Sequence, residues 1–358
     1  MKVLLFGGGG FLGRHIHACL AAHAEVLAPT RQDCDLAEID HGALVRLLRR
    51  VRPEAIVIAA GRTFGTATEL LQAHTMVTAK LIDAIALAAP QARLVRIGSA
   101  AEYGPVPHGH TVREDDPARP VGEYGLSHLT ATALVELAGS AGRVDGRVLR
   151  VFNPVGPGMP KSFLLARAAL LFREAIRAGA ETVDLGLHAA WRDFIDVRDV
   201  ASATWAAVRT ELAGDRVFNI GSGRALSLST AIDQLAETAG YAGVVAAGPF
   251  APEAARSAAV GWMCADRARA ERILDWVPMH PLADSLTELW TDINRDGPTG
   301  AETSHRQSSP AARRRSSSVA NGSDSPSRPP APTTRGGIDG SGRLPSTRDR
   351  RLDGTTSR

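Results

Sequence analysis

The sequence predicts an α/β protein built on a doubly wound parallel sheet, with a smaller α/β domain formed from its C-terminal part. Two observations carry this expectation. Short apolar runs alternate with helix-periodic stretches as far as about residue 152, and a glycine-rich turn directly follows the first run.

Lys2-Val-Leu-Leu-Phe6 is the first strand, and Gly7-Gly-Gly-Gly-Phe-Leu-Gly13 is the turn that ends it. A helix is expected over Arg14 to Ala24 and a second strand over Glu25 to Ala28, completing a βαβ unit. Leu44, Leu47, Leu48 and Val51 fall at helical spacing, and Ala55-Ile-Val-Ile-Ala-Ala60 reads as a strand buried on both faces. Thr75 to Ala89 is the next helix, Leu94 to Ile97 a strand, Leu126 to Ala138 a helix, and Val148 to Phe152 a strand. Beyond Phe152 the alternation loosens, returning as a strand at Val217 to Ile220 and a helix at Thr230 to Ala239. The expected organisation is therefore a first domain over 1–152, with segments near 190–222 returning to it, and a second over 153–295.

Residues 296–358 differ in kind. They are rich in Ser, Pro, Gly, Thr and Arg without apolar periodicity, which predicts a disordered tail. The tail carries eleven arginines against six acidic residues, so the formal net charge of +3 leaves −2 for residues 1–295. A slightly acidic body argues against a nucleic-acid partner. Apolar stretches are interrupted by charge, as in Ser162-Phe-Leu-Leu-Ala-Arg167, and a strand follows Met1 at once, so no membrane span or leader is expected and the protein is read as soluble and cytoplasmic. Cys19, Cys34 and Cys264 are too few and scattered for a disulfide framework, and the histidines lack ligand partners at metal-binding spacing; no metal is assigned.

Gly7, Gly10 and Gly13 stand between a strand and a helix, where glycine permits a tight turn and lets a pyrophosphate approach the helix N-terminus. This setting predicts a Rossmann-type dinucleotide site, with Phe11 and Leu12 in the same turn and Ala59 and Ala60 at the end of the third strand. Thr30 and Arg31 occupy the end of the second strand, where NAD-selective sites carry an acid. Arginine suits a 2′-phosphate, so NADP(H) is favoured over NAD(H), and Asp35 and Leu36 are expected beside the adenine.

Ser99 closes a parallel strand at its carboxyl end, where such sheets bind ligands. Tyr124-Gly-Leu-Ser-His128 places a phenol and an imidazole one helical turn apart. Together they form a hydride-transfer set: Ser99 orients a carbonyl, Tyr124 exchanges its proton, and His128 supplies charge.

Residues 1 to about 295 resemble the extended short-chain dehydrogenase/reductases that act as nucleotide-sugar epimerases, dehydratases and reductases. Gly98-Ser-Ala-Ala-Glu-Tyr-Gly104, Phe152-Asn-Pro-Val-Gly-Pro-Gly158, Arg192-Asp-Phe-Ile-Asp-Val-Arg-Asp199 and Asp275-Trp-Val-Pro278 most resemble the GDP-4-keto-6-deoxy-mannose reductases. The resemblance implies a nucleotide-sugar substrate whose diphosphate is met by Asn153, Arg192 and Arg256, and pairing of two copies through helices on the tyrosine-bearing side of the sheet. It implies NADPH-dependent reduction of a nucleotide-linked 4-keto-6-deoxyhexose, with an epimerase as the alternative enzyme. Dehydration is not expected, because Ala100 and Ala101 stand where the dehydratases carry acids.

One departure reaches the chemistry. His128 replaces the usual lysine, and a neutral imidazole supplies no fixed charge. If nearby carboxylates keep it protonated, an acidic pH optimum follows; if not, ligand binding with little turnover is expected, and the non-enzyme alternative is a ligand-binding protein with a decayed catalytic set. Only three of the 41 basic residues are lysine, and no substitute cation is evident nearby in sequence.

Overall fold

The computed structural model describes residues 1–186, 189–211, 214–247 and 259–295. Strand β1 (Lys2–Phe6) is the centre from which the sheet is wound. Helix α1 (Phe11–Ala21) carries the chain to β2 (Glu25–Leu27) on one side of β1. Helix α2 (His41–Val51) then carries it to β3 (Ala55–Ile58) on the other. Later strands β4 (Arg93–Ser99), β5 (Asp145–Val151) and β9 (Val217–Ile220) extend that side, giving six parallel strands in the order β2-β1-β3-β4-β5-β9. The winding direction therefore reverses between β1 and β3. A crevice opens at their carboxyl ends, where ligands bind in this architecture.

Both faces of the sheet are covered, which explains why its strands read as continuous apolar runs. On one face Val3, Leu5, Val57, Val95 and Leu149 pack with Ile16 and Leu20 of α1 and with α7 (Val197–Arg209). On the other, Leu4, Phe6, Ile56, Ile58 and Leu94 pack with α2 and α4 (Val77–Ala88). Each fully buried aliphatic side chain contributes about 1.5–3 kcal/mol by leaving water.

Among the element boundaries that differ from expectation, two shape the site. Helix α1 begins at Phe11, because Gly10 adopts extended geometry and serves as its N-cap. The helix expected from Thr75 begins at Ala67, where Thr66 and Glu69 form a reciprocal capping box. It runs as α3 (Ala67–Leu71), a π turn over Gln72–Met76, and α4. The stretch Ala67–Ala88 has the length and apolarity of a membrane span, at mean hydropathy 1.2, yet Leu70, His74, Val77, Leu81 and Ile85 are buried inside the fold.

The chain leaves the main sheet at Val151 and opens a three-stranded sheet, β10-β8-β6, with β6 (Asn153–Val155), β8 (Trp191–Asp196) and β10 (Ala225–Ser227). A two-stranded sheet pairs β7 (Thr182–Leu185) with β11 (Val244–Ala247). Helices α5 (Glu123–Ser140), α6 (Leu164–Ala178), α8 (Leu228–Ala239), α9 (Ala268–Leu274) and α10 (Leu282–Arg295) complete the described residues. Leu165, Phe172, Ile232, Leu235, Leu286 and Leu289 form the separate core of this second region. The tail over 296–358, expected to be disordered, lies outside the described residues.

Candidate active site

A cleft of about 620 Å³ runs from the glycine-rich turn to the start of α6. At its cofactor end the glycines are required sterically. Gly7 has φ +85°, and a Cβ there would run into the backbone nitrogen of Ala60. A Cβ on Gly13 would overlap the carbonyl oxygen of Gly7, so only glycine lets α1 sit this close to the end of β1. The α1 N-terminus has no side-chain cap and no acid in its first turn. Its backbone N–H groups and the positive end of its dipole are left for an anion, as a pyrophosphate requires.

Gly10, Phe11, Leu12, Ala59 and Ala60 line the cleft, while Gly7 and Gly13 shape it from behind. Arg31, Asp35 and Leu36 do not line it. Arg31 is exposed and donates to Asp35 at 2.8 Å, and Leu36 is turned into the core with Phe6 and Leu44. A 2′-phosphate at Arg31 would therefore exchange an existing surface ion pair for a new one.

At the chemical end the structure brings Ser99, Tyr124 and His128 to one wall. Ser99 ends β4 and caps the 3-10 turn Ala100–Glu102. Its Oγ accepts the Ala101 N–H at 3.2 Å, so its own proton is free to point at Tyr124, whose phenol it meets, or at a ligand carbonyl. Tyr124 sits in the first turn of α5. Burial raises its pKa; the Ser99 hydrogen bond and the charge of Arg96 pull it back, and Glu102 opposes them.

The dehydratase positions, Ala100 and Ala101, offer only methyl groups. The next acid, Glu102, is fully buried and accepts from Arg150 at 2.8 Å, Thr132 at 2.9 Å and the Ser99 N–H at 3.1 Å. It is a structural carboxylate, spent on holding the turn.

His128 is 5 % exposed, and the carboxylates that would keep it protonated are not what it meets. It lies against the ring of His74, with centroids 3.9 Å apart, and its Nδ1 is 3.2 Å from an Nη of Arg96. Burial lowers its pKa well below the ordinary histidine range, and Arg96 and His74 add to the effect. The imidazole is neutral at physiological pH, and the acidic optimum expected from a protonated His128 is withdrawn.

Sequence reading missed both neighbours. His74 is carried into the site by the π turn, and its Nε2 donates to the Arg62 carbonyl oxygen at 2.9 Å. Arg96 lies in mid-strand and is 1 % exposed. A cation inside the apolar run Leu94-Val-Arg-Ile97, in a strand covered on both faces, was the available signal.

Among the substrate-side residues, Asn153 and Arg192 line the cleft. Asn153 donates to the Asp193 carbonyl oxygen at 2.9 Å. Arg192 donates to the Trp191 carbonyl oxygen at 2.9 Å, and burial lowers its pKa to about 10. Arg256 lies outside the described residues.

These features agree with what the chain is similar to. The NAD dependent epimerase/dehydratase family matches residues 3–221. The dTDP-6-deoxy-L-talose 4-dehydrogenase (NAD(P)(+)) of Kitasatospora kifunensis is 37 % identical over 81 % of this chain and 95 % of its own length. The GDP-6-deoxy-D-mannose reductase of Pseudomonas aeruginosa is 31 % identical over 66 % of this chain and 80 % of its own. The solved structure of RMD from Pseudomonas aeruginosa complexed with NADPH superposes with a TM-score of 0.72 at 26 % identity, covering 82 % of this chain and 97 % of that one. The chain belongs to the NAD dependent epimerase/dehydratase family and is an NAD(P)-dependent enzyme of the oxidoreductase and epimerase class.

Proposed function

We propose that this protein catalyses reversible hydride transfer at C4 of a nucleotide-linked 6-deoxyhexose, in the reductive direction consuming NADPH and a 4-keto sugar. The observation that carries the reading is the Ser99–Tyr124 pair facing a cleft whose dehydratase positions are alanine and whose nearest acid, Glu102, is locked in an ion pair. The described proton-transfer groups suit a carbonyl–alcohol interchange and provide no acid for eliminating water. Two relatives above 30 % identity are named for oxidation or reduction, whereas the UDP-glucose 4-epimerase of Azospirillum brasilense is 28 % identical.

Bound nicotinamide supplies the hydride in reduction and accepts it in oxidation. Ser99 donates to the ketone oxygen and fixes it beside Tyr124, and Tyr124 passes its phenolic proton to that oxygen as negative charge develops there. Asn153 and Arg192 hold the diphosphate side of the substrate, with Arg256 as a further contact. Arg31 selects the 2′-phosphate of NADPH. The substrate reading supplies the partner as well: a nucleotide sugar, in a protein that works as a soluble cytoplasmic homodimer.

The test is cofactor oxidation across GDP-, dTDP-, UDP- and CDP-linked 4-keto-6-deoxyhexoses. Turnover with at least one is expected, and Tyr124→Phe should lower it by about 10²–10⁴-fold while leaving NADPH binding intact. Interconversion of epimers without added cofactor, and without change in nicotinamide absorbance, would make the protein an epimerase instead.

A further inference from the structure

We propose that Arg96 is the fixed cation of this site, a positioning residue that holds His128 in one neutral tautomer and stabilises the Tyr124 phenolate by its charge. The proposal rests on Tyr124 being the proton-transfer group.

The geometry points to Arg96 in three steps. Guanidinium has donors and no acceptor, so the 3.2 Å contact to His128 Nδ1 requires that nitrogen to be bare and puts the imidazole proton on Nε2. Nε2 is itself buried and has no hydrogen-bond partner among the described residues, so the ring brings no charge to the wall of the cleft it helps to line. The charge of the usual lysine is thus absent from residue 128 and sits on the guanidinium packed against its ring.

Second, Arg96 hydrogen-bonds only neutral groups among the described residues. Its Nε donates to Thr78 Oγ1 at 3.1 Å, its Nη2 to a neutral imidazole, and its Nη1 has no partner among the described residues. No carboxylate among the described residues lies within ion-pair distance of it. Buried Arg150, by contrast, is matched by Glu102 at 2.8 Å. A buried cation without an ion-pair partner is costly to keep. Glu102, already paired with Arg150, acts on Arg96 only at longer range, and the phenolate formed during the reaction adds to that compensation.

Third, the described groups facing Tyr124 leave no rival among them. From β4 come Arg96 and Ser99, from the 3-10 turn Glu102, from the π turn His74, and from α5 itself His128. Glu102 repels a phenolate, and both imidazoles are held neutral by burial and by Arg96.

Ionisation of Tyr124 tests this directly, without any substrate. The full chain has three tyrosines, so 3-fluorotyrosine labelling gives a resolvable ¹⁹F spectrum, with the more acidic fluorophenol titrating in an accessible range; Tyr124→Phe assigns the signal. Arg96→Met should raise the Tyr124 midpoint by about one unit or more, and Arg96→Lys by less. His128→Gln, which retains an acceptor for Arg96, should leave the midpoint near that of the unaltered protein. His128→Lys should be poorly folded, because it sets two buried cations side by side, and adding Arg96→Met should restore both folding and the original midpoint.

A folded Arg96→Met protein whose Tyr124 titrates unchanged overturns the proposal. If that variant does not fold, an upward shift of a unit in His128→Gln overturns it, by showing that the charge acted from the imidazole. Tyr124 shifts as expected in a protein that turns over no 4-keto sugar would leave Arg96 in place and remove the reductase reading.

Discussion

His74 and His128 show what burial does to a titratable side chain with a cationic neighbour. Both rings are packed in the same pocket behind Tyr124, and burial, with Arg96 as the second pressure on each, keeps them neutral. His74 is lowered from 6.5 to about 4, chiefly by burial. The unfolded chain therefore binds protons that the folded one refuses. Stability from this group is complete above pH 6.5 and is lost as pH falls toward about 4. At about 1.4 kcal/mol per unit the loss is on the order of 3 kcal/mol, with His128 adding to it in the same direction. Thermal unfolding followed across that interval should show the decline, and His74→Gln should flatten it; a slope unaffected by the substitution would place the acid sensitivity elsewhere. His128 was visible in the sequence as a departure, but its neighbours were not. Arg96 is 32 residues away along the chain, and only the packing of α5 on β4 makes it the imidazole's partner.

At the scale of elements, the cofactor end depends on how closely α1 approaches the end of β1. Gly13 is the contact point, and its missing side chain is what permits the approach. Gly13→Ala should push the helix off by forcing a methyl group into the Gly7 carbonyl oxygen. The expected cost is about 1–3 kcal/mol of stability. Dinucleotide affinity should fall by about tenfold or more, since 1.4 kcal/mol is a factor of ten. Fluorescence titration with NADPH and a melting curve measure both, and a variant unchanged in each would show that the turn tolerates a wider helix. The turn, the strand ends and the position of Ser99 were legible because each depends on local pattern: apolar run, glycine spacing, strand terminus. The π turn was not. It places His74 against His128 by adding a residue to one helical turn, which no periodicity of 3.6 reveals.

For the whole molecule, the cleft wall bearing Ser99, Tyr124 and His128 belongs to the main sheet and α5, while Asn153 and Arg192 come from the second sheet. The last described helix, α10, buries Leu286, Leu289 and Ile293 in the core of that second region. A chain ended at Arg295 should keep turnover and melting temperature close to those of the full chain, because residues 296–358 lack the apolar pattern of a packed element. A chain ended at Pro281 loses those three side chains, at about 1.5–3 kcal/mol each, and should fail to fold stably. Expression and calorimetry of the two truncations distinguish them, and equal stability would mean that α10 contributes little to the core.

The sequence by itself determined the sheet, the dinucleotide turn, and the placement of Ser99 and Tyr124, because each is encoded by residues within one or two turns or strands of one another. It also showed alanine, at positions 100 and 101, where the dehydratases carry acids. The tertiary structure decided the electrostatics. Whether His128 is charged, whether Glu102 is free, and which cation serves Tyr124 depend on burial and on residues distant in the chain, and a buried charge is governed by its nearest neighbours in space.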